Sequence, residues 1–558
     1  TVSVGSSDSL KDVFDKITVS ENAIKALISK HAEYQTLYDT VHKPKADRQK
    51  EIEVINDQVV LSGTSSIYYG IGFDKLTLMK EDGSHTMFEY LSSTSSVINW
   101  IPSDSQEAQF TKIEQEINSG TYVLYEKDGS KKYYSSKGLY STYEDPNGNT
   151  ISFIRDSLGK LTGITTSLGE SYTVSANNGY ITGITNNRDT SQKVSYTYNG
   201  GYLSSVTDTD GDTVKFEYDG FYLKRMIKPD NSYVEFIYDV NDSYANRLTT
   251  STVNEEGIAE TFYYEKAGNL TKYTDHSGKV TLYYYNSNHK TTRKILPDGT
   301  DIRYTYDVNG NMYTETTNLD TVTYGYDVRG NKTLAVYSDG SSEQWLYNGF
   351  DKITSYKDRD GKTVSYMYDT KGNLLSISQG GVQVFSAVYD TRGFMTQSTQ
   401  GNLVSTYEYD SYGNVIKRTQ GSEAEKIVES WTYDDRNRVT SYTNALNEIT
   451  VYKYDGKKTT ITYPDGLQVL YEMNSRKDLV KVTQTDTITG VVRVMDYIYD
   501  KRHKLIETKI NGKTSAKYTY KGAGELESEL YYEDGEGWKK EYIYDSAGRI
   551  HQIKQYKA

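Results

Sequence analysis

The sequence predicts a mainly β protein, built as a tandem array of antiparallel hairpins that follows a small N-terminal α/β region. A strand-like segment ending in Tyr, as at Tyr306 and Tyr471, recurs seventeen times between Tyr198 and Tyr544, with a mean spacing of about 21.6 residues. An aromatic side chain stands two residues before that Tyr in nearly every copy, as Tyr304 does before Tyr306. Because side chains two apart share one face of a strand, each copy predicts a half-buried strand.

Turn residues follow each of these strands in the pattern Asp-x-x-Gly-Asn or a close variant, as in Asp307 to Asn311. The Asp carboxylate can cap backbone amides two residues on, and Gly310 can supply the positive φ that closes the turn. A second turn with Asp-Gly, as at Asp298-Gly299, opens the next strand. Each copy is therefore one hairpin, and seventeen copies predict about 34 strands.

We assign a structural role, not a catalytic one, to the Tyr, Asp and Gly of these turns, because a catalytic group is expected in one copy and not in all of them. Five copies illustrate the assignment: Tyr306, Asp307, Gly310, Tyr326, Asp327, Gly330, Tyr368, Asp369, Gly372, Tyr409, Asp410, Gly413, Tyr544, Asp545 and Gly548.

The pattern divides the chain into residues 1–120, an α/β cap or plug, residues 121–190, degenerate copies of the repeat, and residues 191–558, the regular array. Apolar residues at helical spacing predict one amphipathic helix over Glu21 to Val41. The same spacing and a capping box predict a second helix over Asp104 to Asn118.

Composition excludes several functions. The formal net charge of −13 opposes binding to nucleic acid phosphates. A chain with no Cys has no disulfide framework, no thiolate nucleophile and no cysteine metal site. No run of eighteen apolar residues predicts a transmembrane helix, and residues 1–20 lack the pattern of a signal peptide. The lack of Cys favours an extracytoplasmic location.

The string YTYDVNGN at Tyr304 to Asn311, preceded by LPDGTDIR at Leu296 to Arg303, resembles the YD repeat of the Rhs family. That family includes the B and C components of insecticidal Tc toxins, bacterial wall-associated polymorphic toxins and animal teneurins. A degenerate copy, EDPNGNTISFIRDSLGKLTGI, extends the resemblance to Glu144. The resemblance implies one long β-sheet that spirals into a hollow shell or partial shell, in an extracellular or cell-surface bacterial protein. The autoprotease motif and toxin domain that close such shells are not found here, so we expect a shell fragment, a partner-dependent component or a free-standing YD protein.

Three acidic residues, Asp208, Asp210 and Asp212, resemble the start of an EF-hand calcium loop. However, Thr213 occupies the position at which that loop needs Gly, and no helical pattern flanks the segment. A hairpin turn with a solvated acidic edge explains these residues better, and we expect no metal site and no cofactor.

Histidines are few and scattered, and no HExxH or Gly-x-Ser-x-Gly motif occurs. His276 and His289 fall in neighbouring repeats and, with Arg293, are the candidates for an active site assembled across strands. Surface positions on a polar β-face explain them more simply. The sequence therefore favours a protein without catalysis of its own.

Two functions remain open. The first is a secreted or cell-surface scaffold that encloses or displays a partner polypeptide. The alternative is a secreted protein that binds or degrades a polysaccharide or a cell-surface glycan, because tyrosine rings can stack on the apolar faces of sugars. An active site built from distant non-repeat polar residues would favour the second function.

Overall fold

A computed structural model describes the chain from Ser66 to Ala558 with several gaps, and every regular element in the described residues is a β-strand. The described residues are 66–69, 75–79, 85–103, 111–238, 251–254, 259–265, 268–275, 278–422, 425–500, 503–521, 524–533, 535–545 and 549–558. Together the strands form one 46-stranded sheet, in which each strand pairs antiparallel with the next along the chain.

The strands before the regular array are β1 Ser66–Tyr69, β2 Lys75–Met79, β3 His85–Ser93, β4 Val97–Pro102, β5 Lys112–Glu116, β6 Tyr122–Tyr125, β7 Lys131–Tyr134, β8 Tyr140–Glu144, β9 Thr150–Arg155, β10 Leu161–Thr166, β11 Ser171–Asn177 and β12 Tyr180–Asn186. The first half of the array comprises β13 Lys193–Asn199, β14 Tyr202–Thr207, β15 Thr213–Asp219, β16 Tyr222–Ile227, β17 Tyr233–Ile237, β18 Ser251–Asn254, β19 Ala259–Tyr264, β20 Leu270–Thr274, β21 Val280–Tyr285, β22 Thr291–Ile295, β23 Asp301–Tyr306, β24 Met312–Thr316, β25 Thr321–Tyr326, β26 Lys332–Val336, β27 Ser342–Tyr347, β28 Ile353–Lys357 and β29 Thr363–Tyr368. The second half comprises β30 Leu374–Gln379, β31 Val382–Tyr389, β32 Met395–Gln400, β33 Leu403–Tyr409, β34 Val415–Ser422, β35 Glu425–Tyr433, β36 Val439–Thr443, β37 Ile449–Asp455, β38 Lys458–Thr462, β39 Leu467–Met473, β40 Leu479–Asp486, β41 Val492–Tyr499, β42 Leu505–Ile510, β43 Lys513–Lys521, β44 Glu525–Glu533, β45 Glu536–Tyr544 and β46 Ile550–Lys557.

The predicted hairpin array is confirmed. Strands β13 to β46 are the 34 strands that seventeen hairpins require, and they run from Lys193 to Lys557. In the hairpins with a regular YD copy, the odd-numbered strand ends at or beside the repeat Tyr, as β23 ends at Tyr306. Alternate residues of that strand face the same way: Tyr304 and Tyr306 are half-buried while Arg303 and Thr305 are exposed.

Residues 111–118 are the described part of the helix predicted over Asp104 to Asn118, and the prediction is wrong there. Residues Lys112–Glu116 form β5 between β4 and β6, with Ile113 buried and Lys112 exposed. Pairing with strands on both sides satisfies the backbone of this segment, which outweighs its helical spacing of apolar residues. The helix predicted over Glu21 to Val41 lies outside the described residues, and the three-region division of the chain stays a prediction.

The best buried part of the sheet lies in the strands that precede the array. Leu76, Phe88 and Ile113 are completely buried there, on three different strands. The full cluster is Leu76, Leu78, Phe88, Trp100, Ile113, Tyr122, Leu124, Tyr134 and Tyr140. The regular array has few completely buried side chains, so packing between repeats must stabilise it in another way.

Both turn types of the repeat form the same five-residue loop. In Asp307 to Asn311, the Asp307 amide donates to the Asn311 carbonyl at 2.9 Å and the Gly310 amide donates to the Asp307 carbonyl at 3.0 Å. In Leu296 to Thr300, the two equivalent hydrogen bonds measure 2.9 Å each. The fourth residue has positive φ in both, +82° at Gly310 and +84° at Gly299. The types differ only in whether the capping Asp is the first or the third residue of the loop.

Fourteen of the seventeen repeat tyrosines are held by a hydrogen bond from the hydroxyl to the main chain of the preceding hairpin. Tyr306 Oη donates at 2.6 Å to the carbonyl of Thr291, which directly precedes the extra residue of a β-bulge at Thr292. A bulge disrupts the ladder locally, so the hydroxyl supplies a donor where strand pairing is interrupted. The same contact is made by Tyr198, Tyr238, Tyr285, Tyr326, Tyr347, Tyr368, Tyr389, Tyr409, Tyr433, Tyr454, Tyr499, Tyr520 and Tyr544. We call this contact the tyrosine clamp.

Replacing Gly330 by Val should destabilise the protein by roughly 1 to 3 kcal/mol, because a β-branched residue at φ of +81° is strained. Gly349→Val is the matched control, since Gly349 also lies in a turn but has no positive φ and nothing within 4 Å of an added Cβ. The measurement is the midpoint of thermal unfolding, and equal midpoints for the two variants would contradict the role assigned to Gly330.

Replacing Tyr306 by Phe should lower the free energy of unfolding by about 1 kcal/mol, because it leaves the Thr291 carbonyl without its donor while preserving the ring. Tyr313→Phe removes a hydroxyl from a side chain that is 50% exposed and serves as the control. Urea unfolding of both variants measures the difference. If they lose the same stability, the clamp contributes nothing beyond the packing of its ring.

Candidate functional surface

The two edges of the sheet carry different turns. Turns that follow odd-numbered strands form the YD edge, and turns that follow even-numbered strands form the opposite edge. Hydrogen bonds join the opposite edge early in the chain to the YD edge much later, from Asn147 to Asn373 and from Glu170 to Asn437. These partners are 226 and 267 residues apart, so the sheet winds as a spiral and its second winding lies edge to edge on its first. We call this line of contact the seam.

Aspartates of the first winding have two roles at the seam. Asp189 Oδ1 caps the Ser191 amide at 3.0 Å, while its Oδ2 lies 2.5 Å from Arg436 Nε in the second winding. Asp230 repeats the arrangement, with Oδ1 on the Ser232 amide and Oδ2 2.6 Å from Arg476 Nε. Each carboxylate therefore fixes its own turn with one oxygen and holds the next winding with the other.

Arg436 and Arg476 share one position, the third residue of a turn on the YD edge, in the loops Asp434 to Arg438 and Asn474 to Asp478. Hydrogen bonds from the Ser191 hydroxyl and the Arg436 guanidinium hold the pKa of Asp189 down, at about 2. An acidic turn of the first winding therefore pairs with the cation at the third position of a YD-edge turn in the second winding.

The three aspartates that resemble the start of a calcium loop lie at this seam and face lysines. Lys477 Nζ contacts Asp210 and lies 3.5 Å from oxygens of both Asp208 and Asp212, and Lys457 Nζ lies 2.7 Å from Asp212 Oδ1. Asp208 Oδ1 also caps the amides of Asp210 and Asp212 at 2.9 Å each. Two ammonium groups therefore occupy the space between the carboxylates that a cation would need. Across the described part of the chain, no three His, Asp or Glu side chains are grouped to hold a metal ion.

Polar and aromatic contacts complete the seam. Asn149 Nδ2 donates to the Arg392 carbonyl at 2.8 Å, and the Arg188 guanidinium lies 3.5 Å from the centre of the Tyr412 ring. In two further ion pairs the cation lies on the first winding and the carboxylate on the second. Lys279 pairs with Glu525 at 2.8 Å, and Arg188 pairs with Asp435 at 3.8 Å. The seam is therefore a continuous polar interface, not a single contact.

Two of the three candidates for catalysis, His289 and Arg293, lie in the described residues. His276 lies outside the described residues. His289 takes the fourth position of a turn, with φ of +59°, and its Nδ1 lies 3.1 Å from Asn269 Oδ1. Arg293 makes a bidentate ion pair with Asp301 on the neighbouring strand β23, at 2.8 and 2.9 Å. His289 and Arg293 therefore contact different residues, on a neighbouring turn and on a neighbouring strand.

The turn aspartates assigned a structural role cap their own loops. Asp327 Oδ1 accepts from the amides of Arg329 and Asn331 at 2.9 Å, and Asp307, Asp369 and Asp410 make the equivalent bonds. Asp545 accepts from the Arg549 amide, and Gly548 lies outside the described residues. Gly330, Gly372 and Gly413 all have positive φ.

One repeat differs from its sequence assignment. The loop Asn474 to Asp478 places Met473 at the position of the repeat Tyr, because Met473 pairs with Leu479 at the bulge. Tyr471, which we had assigned to that position, lies two residues earlier on β39. The copy was misaligned because it has no aromatic residue before its turn.

The sequence analysis did not predict a row of apolar side chains on the exposed face of the sheet. Leu346, Met367 and Val388 each directly precede a repeat Tyr, on β27, β29 and β31, and are 62%, 63% and 53% exposed. We call these three residues the apolar stripe. The signal that could have found it is an aliphatic residue, in three successive copies, at a position where several other copies have Thr, Glu or Lys.

Two tyrosines outside the clamp, Tyr337 and Tyr356, donate to a glutamate instead of a main-chain carbonyl. Glu343 accepts from Tyr337 at 2.6 Å and from Tyr356 at 2.5 Å. The bond to Glu343, together with burial, raises the pKa of Tyr356 to about 12, and the two hydroxyls lower the pKa of Glu343. The hydroxyls of Tyr337 and Tyr356 are therefore engaged by the protein itself.

No helix in the described residues is long and apolar enough to span a membrane.

Asp189→Asn should lower the urea midpoint of unfolding at neutral pH, because Asn keeps the turn cap but loses the charge that pairs with Arg436. A folded-state pKa of about 2 lies below the value of about 3.9 expected when unfolded. The charge therefore stabilises the fold above pH 4, and this contribution is lost as the pH falls towards 2.

The difference between wild type and Asp189→Asn should accordingly shrink between about pH 4 and pH 2. Asp360→Asn is the control, since the Asp360 side chain is 78% exposed and its ion-pair partner is Lys362 in the same turn. A difference that is independent of pH would show that Asp189 does not act through its charge.

Comparison with known proteins identifies the repeats. Residues 299–424 and 381–487 match the model of the Teneurin YD-shell, and residues 264–300 match the model of the RHS Repeat. No curated protein sequence matches the chain.

Two solved structures share the fold at low sequence identity. A structure of the Photorhabdus luminescens Tc holotoxin pore, with a mutation in TccC3, is 11% identical with a TM-score of 0.50, over 82% of this chain and 31% of that one. A crystal structure of TcdB2-TccC3-TEV is 12% identical with a TM-score of 0.50, over 94% of this chain and 38% of that one. The chain thus spans about a third of the length of these proteins. The matches to the two family models identify residues 264–487 as a YD-repeat array, the kind of array that the RHS Repeat and Teneurin YD-shell models describe.

Proposed function

We propose that this chain is the wall of a secreted or cell-surface scaffold that encloses or displays a partner polypeptide and has no reaction of its own. The observation that carries the proposal is the seam, which joins the two windings of the sheet through residues 226 to 267 apart. A single-layer sheet without such a seam would be an open ribbon. A sheet closed edge to edge is a wall, and a wall can separate what it holds from solvent.

Charge burial supports a permanent seam. The side chains of Asp212, Arg476 and Arg436 are only 9%, 11% and 19% exposed. Removing one partner of a poorly hydrated pair leaves a charge without compensation, which costs more than the pair contributes by itself. The windings should therefore stay together during function, with the partner held against a face of the wall.

The apolar stripe supplies a surface for such a partner. Three exposed apolar side chains on alternate strands of one sheet form a row that water solvates poorly. An unfolded or extended polypeptide exposes apolar side chains that can cover this row. The two Tc structures are proteins in which a wall of this fold is part of a longer chain, and this chain would supply about a third of such an assembly.

Glycan binding is the weaker proposal. Sugar recognition by tyrosine needs accessible rings and free hydroxyls. In the described array the clamp tyrosines donate to main-chain carbonyls, and Tyr337 and Tyr356 donate to Glu343. These hydroxyls are engaged by the protein and are not available to recognise a sugar.

The triple variant Leu346→Lys, Met367→Lys and Val388→Lys should bind an unfolded polypeptide several-fold more weakly than wild type, because it replaces the apolar stripe with charge. Reduced and carboxymethylated α-lactalbumin is the probe, and fluorescence anisotropy measures its dissociation constant.

Gln344→Lys, Ser365→Lys and Ser386→Lys form the matched control, since they add the same charge on the same face of the same three strands, two residues earlier. Equal loss in both triple variants would mean that charge, and not the stripe, decides binding. A wild-type protein that does not bind the probe would refute a polypeptide-holding wall.

A further inference from the structure

Two tyrosines on the exposed face of the sheet meet the conditions for sugar recognition that the clamp tyrosines do not meet. Tyr263 on β19 and Tyr284 on β21 are 53% and 43% exposed. Within the described residues neither hydroxyl makes a hydrogen bond, and neither ring stacks on another aromatic ring. Each therefore presents an accessible ring and a hydroxyl that a ligand can use.

Cations lie beside these two rings on the same face. Residues that pair across strands share a face, and Tyr263 pairs with Lys272 while Tyr284 pairs with Arg293. Lys272 Nζ lies 4.9 Å from the centre of the Tyr263 ring, and the Arg293 guanidinium lies 5.4 Å from the centre of the Tyr284 ring. Arg303 pairs with Arg293 on the next strand, β23, and its side chain is 64% exposed. We call these five residues the tyrosine–cation patch.

A single aspartate orients both arginines of the patch. Asp301 accepts hydrogen bonds from Nε and Nη2 of Arg293 and of Arg303. These bonds hold the pKa of Asp301 at about 2, so its carboxylate stays charged and fixes both guanidiniums. Within the described residues Nη1 of each arginine makes no hydrogen bond, and Lys272 pairs with no carboxylate. The three cations of the patch therefore outweigh Asp301, and the arginines keep donors for a ligand.

The spacing of the two rings suits a linear sugar chain. Tyr263 and Tyr284 occupy the same position in successive hairpins, directly before a repeat Tyr. Their strands lie two spacings apart, which is about 9.5 Å across the sheet. A disaccharide unit of an extended polysaccharide has a similar length. Because a cation follows each ring on the next strand, the patch matches a polymer in which every second sugar carries an anionic group.

Nucleic acid fits this surface less well. A single strand can also stack its bases on tyrosine, but its affinity depends on the neutralisation of many phosphates. The patch offers three cations, and the formal net charge of −13 on the whole chain repels a densely charged polymer. A polysaccharide with one anionic group per disaccharide has a lower charge density.

We propose that the tyrosine–cation patch binds a linear acidic polysaccharide. Tyr263 and Tyr284 stack on the apolar faces of its sugars. Lys272 and the Nη1 groups of the two arginines bind its carboxylate or sulfate groups. The patch lies on β19 to β23 and the apolar stripe on β27 to β31, so this binding does not depend on a wall that holds a polypeptide.

Two labelled polysaccharide probes test the proposal by fluorescence anisotropy. Hyaluronan oligosaccharides carry carboxylates on alternate sugars, and dextran sulfate carries sulfates alone, so the two probes show which anionic group the cations take. Wild type should bind at least one of them and should not bind neutral dextran. Tyr263→Thr with Tyr284→Thr should weaken binding at least ten-fold. The fold should tolerate this variant, since Thr305 occupies the same position in the next hairpin.

Salt dependence separates the rings from the cations. Arg303→Gln should weaken binding several-fold and make it less sensitive to NaCl, because one charged contact is lost. The double tyrosine variant should keep the salt dependence of wild type. Tyr532→Thr and Lys362→Gln are the matched controls, since these side chains are exposed and lie on other strands and turns. Both controls should bind as wild type does.

Wild-type protein that binds neither acidic probe would overturn the proposal. Weakening by Tyr532→Thr as large as that by the double tyrosine variant would also overturn it, because binding would then not depend on the patch. Tighter binding of oligothymidylate than of either polysaccharide would show that the surface takes nucleic acid instead.

Discussion

The fold depends on the hydrogen bond from a Tyr hydroxyl that compensates for the interrupted strand pairing at the β-bulges. Fifteen of the seventeen hairpins of the array insert an extra residue at the start of the second strand, and the ladder is interrupted there. The hydroxyl of the next repeat Tyr donates to the carbonyl at that point, as Tyr306 does to Thr291. This contact ties one hairpin to the next without a conventional hydrophobic core, which suits an array in which few side chains are completely buried. Burial raises the pKa of Tyr306, so the phenol stays a neutral donor across the physiological range.

Regular bulges have a consequence beyond their own hairpin. A bulge bends its strand and increases the local twist. When it recurs at the same position about every 21 residues, the bends add in the same sense and the sheet closes on itself. The seam is where this closure becomes visible, and its capping aspartates are already in place in each turn. A cation at the third position of the facing turn is sufficient to use them. Exposed ion pairs contribute little singly, but partly buried pairs such as Asp230 with Arg476 form a network along an entire edge.

Particular residues show which features could be predicted from the sequence and which could not. The strand, the turn and the count of 34 strands followed from spacing, because they depend on residues within one repeat. The resemblance of Asp208, Asp210 and Asp212 to a calcium loop was local as well, and it could not show Lys477 and Lys457, which lie some 245 to 267 residues away. The helix predicted near Ile113 failed for the same reason, since only the neighbouring strands decide whether that segment pairs. Tyr471 was misassigned because register at the bulge, and not the nearest aromatic residue, defines the repeat.

By itself the sequence determined the repeat, the two turns, the side chains that share a face and the family resemblance, since each of these is set by interactions within about twenty residues. The tertiary structure alone decided which turns meet at the seam and which aspartates are paired there. These features depend on the number of residues in one winding, which follows from the twist and bend accumulated over many hairpins. A small change in twist per hairpin shifts the facing turns by a whole repeat, so no local pattern could have shown that Asp189 meets Arg436.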